Sequence, residues 1–246
     1  MENTLCRAVL FEPCNLLLTR CSYLREVKAV YILFKKEFQL DMRKKQLLFG
    51  ILLFVLSTVF TCYLSLEKIE DSKVLAALFW IVGLFAAFNA MQKSFQQEQS
   101  GTDKLLYTLA SPRQVWIAKA TYYSLLILVL NLLSILLFSL FFGANIWSRT
   151  SMDLLLLSVF LGSIGLGTAL TFLSALSFKA NGSASLTVVL GFPVLMPFLF
   201  SLTSVTLNIL DGASWQVASF GIMLLAGLFL TTTIMSLFLV PFFWKS

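Results

Sequence analysis

The chemistry open to this chain is limited by its functional groups: 4 cysteines, 12 carboxylates and no histidine in 246 residues. Cys6, Cys14 and Cys21 share the N-terminal segment without CxxC spacing, and Cys62 stands alone in an apolar stretch, so no redox pair or disulfide framework is implied. A zinc site on the first three would need a fourth ligand, and no histidine is there to supply it. None of the 12 glycines is followed by lysine, which excludes a Walker-type loop that cradles nucleotide phosphates. The apolar stretches carry no carboxylate of the sort proton-coupled carriers use, nor the clustered acids a membrane phosphatidyltransferase needs. What remains is physical work on a partner or a neighbouring helix. The residues placed for it are Glu98, Gly101, Ser111 and Pro112 in a polar segment, Gly162, Gly165 and Gly167 in one apolar stretch, and Pro193 and Pro197 in the next.

The elements that must position these residues are membrane spans. Six stretches without Asp, Glu, Lys or Arg run at Leu47–Leu66, Val74–Met91, Thr121–Phe142, Leu154–Phe178, Ser185–Leu210 and Trp215–Val240. A bilayer core takes about 20 apolar residues per helix, and backbone groups facing lipid must bond within their own helix, so all six are predicted helices. With 59% hydrophobic and 12% charged residues, the chain has no room for a sizeable soluble domain beside them. The expected fold is an all-α membrane protein: one six-helix membrane domain over residues 24–246, preceded by an unassigned tail, 1–23.

The net charge of +6 points to lipid rather than nucleic acid because of where it sits. Nine of the 18 Lys and Arg precede the first span. With the N-terminus inside, the inner loops add Lys93, Lys104, Arg113, Lys119, Lys179 and Lys245, and the outer loops hold only Lys68, Lys73 and Arg149. Fifteen against three places both termini in the cytoplasm. Trp147, Trp215 and Trp244 then fall at the two interfaces as an aromatic belt.

From Leu24, apolar Val27, Tyr31, Phe34, Phe38 and Met42 recur at three- and four-residue steps among Lys28, Lys35, Lys36 and Arg43. That pattern predicts an amphipathic helix in the headgroup plane, or a plain basic anchor. The segment from Gln92 to Lys119 is the longest between spans; its apolar spacing, with Gly101 and Pro112 as punctuation, predicts a helix, a turn and a second short helix. Ser111, held extended by the following proline, caps the helix that Pro112 opens. Small residues in the fourth span predict close helix approach, and Pro193 with Pro197 a kink, hinge or gate in the fifth. Asn89, Asn131, Thr168, Thr171, Ser174 and Thr231 to Thr233 are expected to bond between helices.

Glu98, Gly101 and Leu109-Ala110-Ser111-Pro112, followed by Lys119, resemble the cytoplasmic loop of ABC-2-type transporter permeases. More narrowly, Gly162-Ser163-Ile164-Gly165-Leu166-Gly167, Asn181-Gly182 and Pro193-Val194-Leu195-Met196-Pro197 resemble the haem exporter protein B (CcmB) family, from about Phe34 to the C-terminus. Asp103-Lys104 departs from the Leu-Glu pair common after the loop glycine.

The resemblance implies a bacterial-type inner-membrane permease subunit of cytochrome c maturation, in which two half-transporters make one complex. A separate ATPase, CcmA, would supply ATP hydrolysis by docking on Glu98, Gly101, Ser111 and Pro112. CcmC and CcmD would be membrane partners, and the chaperone CcmE would receive haem. Direct haem ligation by this chain is not expected: histidine is absent, and Met91, Met152, Met196, Met223, Met235 and Cys62 read as packing. The alternatives are an ABC-2 permease exporting a lipid-linked glycan or drug, and a non-transporting membrane scaffold.

Overall fold

The computed structural model of the protein describes residues 14–43, 45–66, 71–98, 111–143, 147, 150–179, 184–213 and 215–245. Among them are seven helices and no strand: α1 (Cys14–Arg43), α2 (Lys45–Ser65), α3 (Ser72–Glu98), α4 (Pro112–Phe142), α5 (Met152–Lys179), α6 (Ala184–Leu210) and α7 (Trp215–Lys245). The six expected spans correspond in order to α2 through α7. Five of these, α3 to α7, are long and apolar enough to cross a bilayer, while α2 contributes a shorter apolar run, Phe49–Ser65. The fold is therefore that of an all-α membrane protein.

Two boundaries differ from the sequence reading. The helix α1 starts at Cys14, inside the segment left as a tail, because Leu16, Leu17, Leu18 and Arg20 are good helix formers and propensity needs no amphipathic period. The short helix expected after Pro112 is not separate from the third span. Pro112–Phe142 is a single helix of 31 residues, about 46 Å long against a hydrocarbon core of about 30 Å, so its first turns project beyond the core. The first helix and turn expected between Gln92 and Lys119 fall mainly at 99–110, outside the described residues, as do Gly101 and Asn181-Gly182.

The centre of the bundle is α5, which packs against α3, α4, α6 and α7. Its Leu155, Leu166, Leu170 and Leu173 are buried among Trp80 and Phe79 of α3, Tyr123, Ile127 and Phe138 of α4, and Phe198 and Leu202 of α6. At the periphery, α7 turns Phe220, Met223 and Phe238 outward, as a helix surrounded by hydrocarbon can. The expected aromatic belt is corrected at one position: Trp147 is buried in the main core cluster, and Trp215 is exposed.

Among the described residues, hydroxyl side chains bond mostly along their own helix, and a few polar side chains bond between helices. Asn131 Nδ2 of α4 donates to Ser163 Oγ of α5 at 2.9 Å, and Trp80 Nε1 of α3 donates to Thr206 Oγ1 of α6 at 2.8 Å. Thr168, Thr171 and Ser174 instead donate to carbonyls one turn back on α5, at Ile164, Gly167 and Leu170. A hydroxyl in hydrocarbon needs only one acceptor, and the preceding turn of its own helix is always within reach.

Each small residue of α5 meets a different neighbour. A Cβ on Gly162 would lie 2.5 Å from the Trp80 ring and 2.6 Å from Leu202 Cδ2, and one on Gly165 would lie 2.7 Å from Phe198. At Gly167 the obstacle is main chain, with Ser124 Cα at 2.7 Å and Ser124 N at 2.8 Å. Backbone cannot rotate away as a ring can, so Gly167 sets the distance between α4 and α5. Gly167→Ala should therefore destabilise the protein by about 1–3 kcal/mol, the usual cost of overpacking. Gly227→Ala is the control, since a Cβ there meets nothing within 4 Å. Thermal unfolding in one detergent checks the pair: the Gly167 variant should melt lower and the Gly227 variant at or above the parent.

Candidate functional site

The projecting start of α4 is built by its cap. Ser111 is extended (φ −68°, ψ 145°) and Pro112 occupies the first turn, as the Ser-Pro order predicts. Gln114 Oε1 accepts from Ser111 N at 3.2 Å, and Ser111 O accepts from Val115 N at 3.2 Å. The entry angle of the chain into α4 is thus held by a proline ring and a reciprocal polar contact. Ser111 is exposed. Glu98 is the last residue of α3, so the polar segment carrying Gly101 joins the far end of α3 to this cap.

One side of that projecting turn is gripped by α1. Tyr122 Oη donates to Asp41 Oδ2 at 2.6 Å, and the Phe34 ring meets the Tyr122 ring edge-on with centroids 5.7 Å apart. One turn before Tyr122, Lys119 is buried, as is Glu37 of α1, whose carboxylate acts on the Lys119 ammonium electrostatically. Glu37 and Asp41 are four residues apart and so lie on one face of α1; Lys119 and Tyr122 are three apart on α4. Two acidic groups on one helix therefore face a cation and a phenol on the other.

An adjoining side of the same stretch of α4 is held by apolar contact. Trp116 and Ala120 of α4 cluster with Phe172 of α5 and Val240 of α7, separately from the main core. Displacement of the Pro112 end of α4 would thus move α1 through polar contacts and α5 and α7 through apolar ones.

The other residues selected from the sequence lie elsewhere. Gly162, Gly165 and Gly167 sit inside the bundle, while Pro193 and Pro197 lie on the exposed face of α6 beside Phe192, Met196 and Phe200. The helix α6 continues through both prolines from Ala184 to Leu210. None of these residues lines the α1–α4 junction.

In the sequence Lys119 stands out as an inner basic residue and as part of the loop that resembles ABC-2 permeases, whereas nothing marks Glu37, Asp41 and Tyr122 as its partners. The available signal is the spacing of Glu37 and Asp41, four residues apart in a segment dominated by Lys and Arg. Pairing with α4 could not be read from it, because Asp41 and Tyr122 are 81 positions apart.

The sulfur residues are dispersed. Met196, Met223 and Met235 point outward, whereas Met91 is buried in the main core cluster. Among the described residues no cluster of three or more His, Cys, Asp or Glu could hold a metal ion.

These features define a multi-pass helical membrane protein whose polar junction lies at one end of the bundle. The family model described as CcmB protein matches residues 28–244, nearly the whole chain, and the protein belongs to the CcmB family. It is accordingly a membrane permease component of haem export and cytochrome c biogenesis, rather than an enzyme in itself. The match starts somewhat before Phe34, within α1, and so takes in the residues that grip α4. No curated protein compared with the chain matches it significantly.

The junction is testable by a mutant cycle. Lys119→Met alone leaves the Glu37 carboxylate buried beside an apolar chain and should cost about 3–5 kcal/mol, whereas Glu37→Leu with Lys119→Met should recover most of that loss. Chemical denaturation of the single and double variants in detergent micelles measures the coupling; additive losses would mean that the two groups do not act on each other.

Proposed function

We propose that the chain is the transmembrane subunit of an ABC-type complex for cytochrome c maturation, and that it carries motion from a CcmA-like ATPase to haem release at a CcmE-like chaperone. The single observation that supports this most is the α4 element. A capped, proline-initiated helix projects past the hydrocarbon core and is held on two adjoining faces by other helices. A rigid rod passing from solvent into the bundle is suited to transmitting a push. Since no glycine of the chain is followed by lysine, the hydrolysis itself belongs to a partner.

In this reading the segment from Glu98 through Gly101 to Ser111 and Pro112 docks on the ATPase. Glu98 offers a charge-assisted contact to a basic partner residue, and Pro112 fixes the helix that receives the force. CcmC-like and CcmD-like membrane proteins complete the complex. Both termini and the docking segment face the cytoplasm of a bacterial-type inner membrane, as the fifteen-to-three distribution of Lys and Arg supports. Pro193 and Pro197, each removing a bond from α6, mark the helix most able to bend as the transporter changes state.

Glu98→Lys with Pro112→Gly tests the docking assignment. The doubly substituted protein should insert at parental abundance yet recover less ATPase in pull-downs and support less mature cytochrome c. Parental recovery and normal maturation would remove this segment from the coupling path.

Haem is cargo for the complex in this reading and is not ligated by this subunit. Its methionines are spread over the lipid face and the core, with no histidine to pair with them. Purified subunit titrated with haem should give no stoichiometric low-spin Soret band. A band abolished by replacing one Met or Cys would overturn the assignment.

A further inference from the structure

An elongated groove runs between α1, α2 and α4, and nothing in the transport reading accounts for it. Phe38 and Met42 of α1, Ile51 of α2, and Tyr122, Val129 and Leu133 of α4 are among its lining residues, its volume is ≈ 250 Å³, and its walls are almost wholly apolar. Phe38, Met42 and Val129 are each about half exposed or more, so the groove opens at the surface of the bundle.

Its dimensions match one leaflet. From Tyr122 to Leu133 the helix rises about 16 Å, and half of a hydrocarbon core is about 15 Å. The groove starts where α1 crosses α4, at the end of the bundle that projects beyond the core, and ends near mid-membrane. A depression of that length and polarity suits one extended acyl chain.

Charge at its mouth selects the headgroup. Over residues 28–43 every exposed charged side chain of α1 is cationic: Lys28, Lys35 and Arg43. Lys35 shares a helix face with Phe38 and Met42 by its three- and seven-residue spacing, and Arg43, exposed in the last turn of the helix, has a side chain long enough to reach round to a headgroup held there. The acids do not oppose them in solvent, since Glu37 is buried beside Lys119 and Asp41 accepts from Tyr122. Over residues 28–43 the helix therefore engages its carboxylates with α4 and leaves Lys28, Lys35 and Arg43 with Tyr31 and Phe38 outward, which is the arrangement that meets an anionic membrane surface.

We propose that this groove is a binding site for one anionic phospholipid of the leaflet on which α1 lies. An acyl chain occupies the channel beside Val129 and Leu133, and the phosphate sits against Lys35 and Arg43. The lipid would fill the wedge between α1 and α4 and so brace the Asp41–Tyr122 contact. This inference is independent of which substrate the transporter moves.

The test uses the full chain in phosphatidylcholine nanodiscs containing a trace of photoactivatable lipid with a diazirine in the acyl chain, either phosphatidylglycerol or phosphatidylcholine. Adducts are mapped by peptide mass spectrometry. Phosphatidylglycerol should label peptides containing Val129 and Leu133 several-fold more than the lipid-facing Phe220 and Phe238 peptides of α7, with phosphatidylcholine showing no such concentration. Lys35→Gln and Arg43→Gln, both on exposed side chains, should each reduce the phosphatidylglycerol preference about fivefold, and Lys35→Arg should retain it. Val129→Trp, which fills the channel from an exposed position, should abolish groove labelling while leaving α7 labelling intact. Equal labelling of groove and α7 would show ordinary boundary lipid and overturn the proposal. So would equal labelling by the two lipids, or a groove that in the native complex takes no lipid because a partner helix covers it.

Discussion

The α4–α5 contact at Gly167 is the constraint on which the rest of the bundle depends. Hydrocarbon is as apolar as the side chains it surrounds, so transmembrane helices gain little by hiding leucine from it and associate through close contact and sparse hydrogen bonds. At Gly167 the Ser124 backbone comes closer than any side chain would permit. Once that distance is set, Asn131 reaches Ser163 two turns along α4. The other face of α5 can then admit the Trp80 and Phe198 rings over Gly162 and Gly165. Three glycines in six residues thus serve three partners, and α5 becomes the helix that the others are arranged around.

A different physics operates at the end of the bundle. There α4 leaves the region that must be apolar, and contact with α1 is made by a buried Lys119 and Glu37 together with the Tyr122–Asp41 bond. Such a junction is specific in register, because a one-residue slip of α1 would set Glu37 and Asp41 against apolar positions. It is also breakable, since each group could be solvated if the helices separated. The apolar contacts of Trp116 and Ala120 on the adjoining face have neither property. The proposed lipid would lie beside this junction, where it could influence how α1 sits on α4.

Under the proposed function, a permease that draws energy from a partner would need a part outside the membrane that is stiff and a part inside that can rearrange. The continuous Pro112–Phe142 helix meets the first need. For the second, α6 carries two prolines on its exposed face with bulky Phe192, Met196 and Phe200 around them. Bonds missing at those positions lower the resistance of α6 to bending without disturbing the Leu195, Phe198 and Leu202 surface that it presents to the core.

The sequence by itself determined the solvent, the helical class and the order of spans, because a backbone in hydrocarbon has almost no alternative to the helix and charge-free stretches mark where it lies. It also located the α4 start, since Ser111-Pro112 acts on its own backbone, and it picked out Gly162, Gly165 and Gly167 as small residues able to admit a neighbour. Tertiary structure alone decided which neighbour each admits, that Thr168 and Ser174 bond back along their own helix, and that Trp147 is buried. It alone brought Glu37 and Asp41 to Lys119 and Tyr122. Those outcomes depend on helix rotation and on pairing across many residues of chain, and in a sequence apolar around nearly the whole helix circumference no periodic pattern marks which face turns inward.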